Sequence, residues 1–162
     1  MKKLLSAFLV ITMLFTVLVS CGGEITFKDD VSVAALADAG KKHISLASNL
    51  TNASDEFMTF FLNIDADLYT DFAVMTPAGS SSIDEFGIFK ASSAENVANI
   101  ENALKTYLAG RVATWDTRYS QTEKPKVDGA KVTVYGNYVI YTILSAEEQG
   151  NFLDAVKEAL TK

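Results

Sequence analysis

Apolar and polar positions divide the chain into one uninterrupted apolar run and a longer region of periodic segments. Residues 4–20 carry no charge and are rich in Leu, Val, Phe and Ile, whereas helical and strand periods alternate after residue 30. About 140 residues follow the apolar run, a length that suits one domain. We therefore expect a single α+β domain over residues 31–162, in which helices pack on a sheet.

Apolar residues recur at three-to-four spacing in four segments, which predicts four helices. These segments are residues 31–45, 57–64, 93–117 and the stretch that begins at Ser145. The second, short helix is indicated by Phe57, Phe60, Phe61 and Ile64. Ser145 and Glu148 form the pattern of a capping box, because their side chains can satisfy backbone N–H groups of the first helical turn.

Runs rich in β-branched and aromatic residues predict four strands. These runs are residues 71–76, 83–91, 131–135 and 138–144. Gly136 and Asn137 separate the last two runs, and both residue types tolerate a positive φ, so we expect a two-residue hairpin turn there. Residues 48–55 and 118–129 are polar, and we expect irregular connections in both places.

An internal repeat supports this order of elements. A shift of 52 residues places Ile88 on Ile140 and Ser93-Ala94-Glu95 on Ser145-Ala146-Glu147. Each unit consists of two strands followed by a helix. The likeness has two possible explanations: a duplication, or two independent solutions to the same packing problem. The predicted fold is therefore α+β, a four-stranded, mostly antiparallel sheet from two ββα units plus two N-terminal helices.

Both faces of the predicted sheet are apolar, although a sheet with one wet face should alternate between apolar and polar residues. Pairing across the hairpin places five residues on one face, namely Phe86, Ile88, Tyr135, Tyr138 and Ile140. The two long helices are expected to cover one face of the sheet. The face with these five residues is then either covered by the N-terminal helices, residues 31–62, or a docking surface for a protein partner, a twin subunit or a small apolar ligand.

The N-terminus has the parts of a secretory signal peptide in the usual order: a positive start, an apolar run and small residues at the cleavage point. Leu18-Val19-Ser20-Cys21 resembles the lipobox of bacterial lipoproteins, whose cysteine receives a diacylglyceryl group. A transmembrane anchor is the alternative, but a run of 17 residues is at the short end for a spanning helix. We expect residues 1–20 to be removed, Cys21 to be lipidated and palmitoylated, and residues 21–30 to tether the domain to the outer, extracytoplasmic face of the cell membrane.

The charge balance narrows the range of partners. Removal of residues 1–20 takes away Lys2 and Lys3 but no acidic residue, which leaves 12 basic and 20 acidic side chains, a net charge of −8. Phosphate backbones and anionic headgroups repel an acidic domain, so nucleic-acid binding is disfavoured. Membrane contact is expected through the lipid anchor.

Patterns that could carry catalysis or bind a metal are incomplete in this sequence. His43 is the only histidine, and Ser80-Ser81-Ser82 lacks the Gly-x-Ser-x-Gly elbow of a nucleophilic serine. Residues 63–67 begin like an EF-hand loop, but Leu68 stands where glycine is needed and Val74 where glutamate is needed. We expect no catalytic residue, no metal and no cofactor.

The adjacent acids Asp84 and Glu85 lie on one predicted strand, so their side chains point to opposite faces and cannot act as a local acid/base couple. The leading hypothesis is a non-enzymatic binding or interaction module. Two alternatives stay open: an envelope hydrolase with carboxylates that converge about 5–9 Å apart, and an accessory ligand-binding subunit of a transporter.

Several segments resemble one known family. They are Asp71-Phe72-Ala73-Val74-Met75, residues 82–90, the helix that ends near Trp115 and Gly136-Asn137-Tyr138-Val139. Together, over residues 60–145, the chain is similar to the domain-of-unknown-function family DUF4358, which consists of short lipoproteins of Gram-positive bacteria. The resemblance implies a small extracytoplasmic domain without an assigned activity, and it transfers no catalytic or ligand-binding residue.

Overall fold

The computed structural model describes residues 25–79, 82–116 and 121–162. The predicted signal peptide, Cys21 and the first residues of the predicted tether lie outside these ranges, as do Ser80 and Ser81. In chain order the elements are α1 (Val33–Lys41), a 3₁₀ turn (Ala47–Asn49), β1 (Leu50–Asn52), a π-helix (Phe57–Leu62), β2 (Tyr69–Pro77), β3 (Glu85–Ala91), α2 (Ala94–Ala113), α3 (Lys124–Asp128), β4 (Lys131–Tyr135), β5 (Tyr138–Ile143) and α4 (Ala146–Thr161).

The strands form one antiparallel sheet in the order β1-β2-β3-β5-β4. At the tip of the β4–β5 hairpin Tyr135 pairs with Tyr138, and Gly136 has the positive φ of 57° that this tight turn requires. The α+β class with an antiparallel sheet is therefore confirmed. The prediction of four strands and two N-terminal helices was wrong, since the described residues contain five strands, and only α1 of the N-terminal segments is an α-helix. The second segment is a π-helix, and α3 is an additional α-helix that brings their number to four.

The missed elements lie in the two segments expected to be irregular. β1 is a three-residue edge strand that pairs Leu50 with Pro77, and it is too short and too polar to show a strand period. The five-residue helix α3 follows Glu123 and buries one side chain, Val127, against the sheet. Neither element carries enough apolar positions to be recognised from the sequence pattern.

The two long helices lie on opposite faces of the sheet, which corrects the expectation that they share one face. α2 covers the face that carries Phe89 and Tyr141, and the buried core there includes Leu104 of α2. α4 and α1 together cover the other face, where Phe152 of α4 lies against Phe86 with ring centroids 4.8 Å apart. The domain is thus a three-layer arrangement with one apolar core on each side of the sheet.

This arrangement limits the internal repeat to the strands. Ile88 pairs directly with Ile140, so an exact repeat would place a two-fold axis through that pair, perpendicular to the sheet, and both helices on one face. The helices instead pack on opposite faces, and their N-cap residues differ in backbone conformation: φ is −156° at Ser93 and −59° at Ser145. The likeness of the two units does not extend to helix packing.

The face with the five candidate interaction residues is closed. Phe86, Ile88, Tyr138 and Ile140 are fully buried beneath α1 and α4. The fifth residue, Tyr135, is partly buried against the core on this face. These side chains therefore cannot form a docking surface in this fold. The expectation that the N-terminal helices cover this face is met by α1 alone, and α4 covers it together with α1. The π-helix packs instead on the opposite face of the sheet.

Residues 27–31 form a strap that fastens the N-terminus to the hairpin end of the sheet. The Lys28 amide donates to the Leu160 carbonyl over 2.9 Å, and the Tyr138 hydroxyl donates to the Val31 carbonyl over 2.6 Å. Phe27 packs on Tyr135 with ring centroids 5.2 Å apart. Phe27 therefore lies against the hairpin turn, and Ile25, which precedes the strap, lies beside the C-terminal half of α4.

Candidate binding groove

A buried carboxylate organises the end of the sheet that lies away from the strap. Glu85, the first residue of β3, is 1% exposed. Its Oε1 accepts hydrogen bonds from the hydroxyls of Tyr107 (2.8 Å) and Tyr141 (2.7 Å), and its Oε2 accepts from Nη1 of Arg111 (2.9 Å). Every partner of the carboxylate is a donor, so the arrangement satisfies Glu85 as a buried anion.

Local features of the chain bring these four side chains together. Tyr107 and Arg111 are one turn apart on α2 and therefore face the sheet together, with Nη1 of Arg111 also 2.6 Å from the Tyr107 hydroxyl oxygen. Tyr141 reaches Glu85 across Gly87, where a Cβ atom would lie 2.3 Å from the tyrosine ring. Glycine at position 87 is thus needed for the ring of Tyr141 to lean over β3.

The protonation tendencies of the cluster follow from burial and mutual charge. Burial is the largest influence on Glu85 and raises its pKa, while Arg111 and the tyrosine hydroxyls act in the opposite direction. Burial and the charge of Glu85 raise the pKa of Tyr107 and of Tyr141. Burial would lower the pKa of Arg111, but Glu85 and Tyr107 keep it raised. The hydroxyls therefore act as neutral donors at neutral pH, and the guanidinium stays charged.

A groove runs beside this cluster, between the π-helix and the C-terminal half of α2. It consists of two cavities of about 480 Å³ and about 510 Å³ that share Phe61, Arg111 and Thr114 in their walls. We call it the aromatic groove and define it by six residues: Phe57, Phe60, Phe61, Arg111, Thr114 and Trp115. Among the described residues, no Asp or Glu lines either cavity.

The π-helix presents aromatic rings to solvent. Phe60 is 77% exposed and Phe61 is 61% exposed, whereas Phe57 is half-buried, stacks on Phe61 at 5.4 Å and meets the edge of Tyr107 at 5.9 Å. The segment ends at Asn63, which has a left-handed φ of 49°. π-Helical turns are rare and occur often at functional sites, and adjacent exposed phenylalanines are unusual on a monomer surface.

A second ion cluster closes the same end of the sheet. Asp84 is buried and accepts from Nζ of Lys126 over 2.6 Å, and Lys126 also pairs with Glu123 over 3.1 Å. Burial would lower the pKa of Lys126, but its hydrogen bonds to Asp84 and Glu123 raise it. Asp84 and Glu85 therefore engage different cations. Among the residues that the structure describes, no two carboxylates converge in the aromatic groove, as a hydrolase mechanism would need.

Two of the other sequence candidates border the groove, since Ser82 lines its second cavity and Asn63 its first, whereas His43 lies apart from it. His43 is exposed in the loop after α1, and the hydroxyl of Ser82 accepts from the Asp84 amide over 3.0 Å in the turn before β3. Across residues 25–79, 82–116 and 121–162, no three or more His, Cys, Asp and Glu side chains gather as they would around a metal ion. No helix in the same ranges has the length and apolar character to cross a membrane.

Sequence reasoning missed the Glu85 cluster and the groove. One signal was present: an acidic residue opens a strand with apolar positions on both faces, and such a residue must find donors when buried. Tyr107 and Arg111, four apart on the predicted long helix, were candidates for those donors. The exposure of Phe60 and Phe61 had no such signal, because their spacing predicted burial on an ordinary α-helix.

The fold and the groove define a three-layer α+β domain with one closed face and one face that carries an open aromatic groove. The chain belongs to the family described as Domain of unknown function (DUF4358), whose family model matches residues 42–144. The match confirms the family resemblance, and it contains the π-helix and α2 but neither α1 nor α4. No curated protein and no solved structure matches the chain.

Proposed function

We propose that the mature protein is a lipid-anchored, non-enzymatic binding protein on the outer face of the cell membrane, and that its ligand occupies the aromatic groove. The observation that carries this proposal is the pair of exposed rings, Phe60 and Phe61, beside the partly exposed guanidinium of Arg111. Small-molecule sites are typically apolar concavities of about 300–1,000 Å³ with a few fixed polar groups, and the groove has this character.

The position of the strap supports an orientation with the groove away from the membrane. Lys90 pairs with Tyr138 near the strap, and Glu85 pairs with Ile143 near the groove. Glu85 and Lys90 are five positions apart on β3, so at about 3.4 Å per residue these two ends of the sheet lie roughly 17 Å apart. A tether that enters at the hairpin end leaves the groove open to the space outside the cell.

The free part of the tether is short, since the strap already holds residues 27–31 on the domain. Residues 21–26 remain between the proposed lipidated Cys21 and the strap, and at about 3.4 Å each they reach at most roughly 20 Å. The domain would therefore stay close to the membrane, with its groove on the distal side.

The anchor is tested by cell fractionation. Wild-type protein should sediment with membranes and incorporate radioactive palmitate, whereas Cys21→Ser should incorporate none, because the acylated thiol is absent. Ser20→Ala, which keeps a small residue at the cleavage point, is the matched control and should be labelled like the wild type. Equal labelling of Cys21→Ser would refute lipidation at this residue.

The groove is tested by a photo-crosslinking amino acid at Phe60 in the native protein on living cells. A small-molecule adduct, identified by mass spectrometry after ultraviolet exposure, is expected at this position. Phe72 is the matched control, because it is an exposed phenylalanine on β2 outside the groove. The same adducts at both positions, or none at Phe60, would contradict the proposed site.

A further inference from the structure

Arg111 makes only part of the contact that an arginine–carboxylate pair can make. Its Nη1 donates both to Glu85 Oε2 and to the Tyr107 hydroxyl, so the ion pair with Glu85 is one-pronged. Within the part of the chain that the structure describes, Nε and Nη2 of Arg111 have no hydrogen-bond acceptor. The side chain is 28% exposed and lines both cavities of the groove.

The unused edge of the guanidinium has a defined chemistry. Nε and Nη2 present two parallel N–H donors, whose spacing matches the two oxygens of a carboxylate. Glu85 and Tyr107 hold Nη1 from behind, so the guanidinium plane is fixed before a ligand arrives. Such preorganisation reduces the entropy lost on binding.

The charges around the edge favour an acid with a single negative charge. The guanidinium already faces Glu85, and the mature chain has 20 acidic against 12 basic side chains. A dianion such as a phosphate monoester would meet more repulsion in this field than a carboxylate does. Phe57 and Phe61 supply apolar surface next to the guanidinium.

We propose that the aromatic groove binds a small organic acid, with its carboxylate on the Nε–Nη2 edge of Arg111 and its apolar body against Phe57 and Phe61. This inference rests on the proposed function, which it deepens by naming the class of ligand. Thr114 lies one turn beyond Arg111, is exposed and borders both cavities, so it faces the site of the acid.

The test compares an acid with its neutral isostere. The probes are 3-phenylpropanoate and 3-phenylpropan-1-ol, titrated by calorimetry into the full chain in phosphatidylcholine nanodiscs, with empty nanodiscs as the blank. A hydrogen-bonded ion pair to Arg111 should make the acid bind roughly 10- to 100-fold more tightly than the alcohol. Phe61→Ser should weaken both probes, and Phe72→Ser, outside the groove, should weaken neither.

The variant pair Thr114→Glu and Thr114→Gln isolates the charge. Both side chains take the same volume at an exposed position, so neither should disturb the fold. The introduced glutamate brings a carboxylate within reach of Arg111, where it competes with the ligand. The Thr114→Glu variant should therefore bind the acid at least about tenfold more weakly than Thr114→Gln does. The alcohol should not distinguish the two variants.

Arg111→Lys gives a second measure, since it keeps the charge and loses the two-pronged edge. A circular dichroism spectrum like that of the wild type shows that the variant folds, and the acid should then bind at least about tenfold more weakly. Equal binding of acid and alcohol, with both weakened by Phe61→Ser, would overturn the organic-acid inference while keeping the groove as a site. If neither probe binds, the organic-acid inference is overturned. The crosslinking experiment at Phe60 then tests the proposed function separately.

Discussion

The two faces of the sheet are covered in different ways. On one face α1 and α4 bury Phe86, Ile88 and Ile140 completely. On the other face α2 and the π-helix leave two phenylalanines exposed and enclose the charged pair of Glu85 and Arg111. Apolar contacts such as those of the closed face stabilise a fold, whereas a buried charge cluster costs desolvation and is weak support for stability. The proposed binding function therefore concerns the face of α2, where the exposed rings and the desolvated charges lie.

The largest effect is expected on the closed face. Phe152→Ala should lower the free energy of unfolding by about 3–5 kcal/mol, because the ring is fully buried between Phe86 and α1. Gly40 of α1 has no room even for a Cβ atom, which would lie 2.4 Å from the Phe152 ring. Urea unfolding of both proteins measures the loss. A loss below about 1 kcal/mol would mean that this face is not the structural core.

A smaller loss is expected in the charged cluster. Tyr141→Phe removes one of the hydroxyls that donate to the buried Glu85 carboxylate and should cost about 1–3 kcal/mol. Tyr138→Phe, on the same strand but the opposite face, removes a hydrogen bond to the neutral carbonyl of Val31 and should cost less. Urea unfolding compares the two variants. Equal losses would argue against a charged carboxylate at Glu85.

Two glutamates should give opposite dependences of stability on pH. The pKa of Glu85 is raised above the ordinary value of 4.5, chiefly by burial, so its contribution is present below pH 4.5 and is lost as the pH rises through the folded-state pKa. Burial would raise the pKa of Glu148 as well, but hydrogen bonds from Ser145 and Ser45 lower it. The contribution of Glu148 is therefore present above pH 4.5 and is lost as the pH falls through the folded-state pKa.

Urea unfolding of Glu85→Gln and Glu148→Gln over a pH series measures this contrast. The difference in stability between wild type and Glu85→Gln should decrease as the pH rises above 4.5. The difference between wild type and Glu148→Gln should decrease as the pH falls below 4.5. Slopes of the same sign would show that the two carboxylates do not differ in environment as described.

The smallest effect is expected in the groove. Phe60→Ser should change the free energy of unfolding by no more than about 0.5 kcal/mol, because the ring is exposed and its removal opens no cavity. Binding of 3-phenylpropanoate to the groove should nevertheless weaken, and a calorimetric titration of the same variant measures that change. A stability loss like that of Phe152→Ala would assign Phe60 to the core instead of to a binding surface.

Features set by local chemistry were predictable from the sequence. The hairpin follows from Gly136, and the start of α4 follows from Ser145, whose hydroxyl accepts from the Glu148 amide as expected. The other half of the predicted capping box differs: Oε1 of Glu148 accepts from the Ser45 amide over 2.9 Å and so ties α4 to the loop after α1. That partner is distant in the chain, and a local pattern does not reveal it.

The remaining features depend on tertiary choices that a periodicity does not encode. The faces to which α2 and α4 turn follow from the path of the chain around Ser93 and Ser145, where the sequences are alike. A π-helix has a wider turn than an α-helix, so the spacing of Phe60 and Phe61 no longer places them on the buried side. The groove arises from this irregular segment, whereas the face with the five candidate interaction residues is covered by α1 and α4.

The most direct test of this account is a fluorine NMR spectrum of the full chain carrying fluorinated phenylalanine. A low-molecular-weight extract of the envelopes of cells that produce the protein is added, and each signal is assigned by a Phe→Leu variant. If the aromatic groove binds a ligand from the extract, the chemical shifts of Phe60 and Phe61 should change, while those of Phe86 and Phe152 should not. Shifts confined to Phe86 and Phe152, or no shift at all, would contradict a binding function of the aromatic groove.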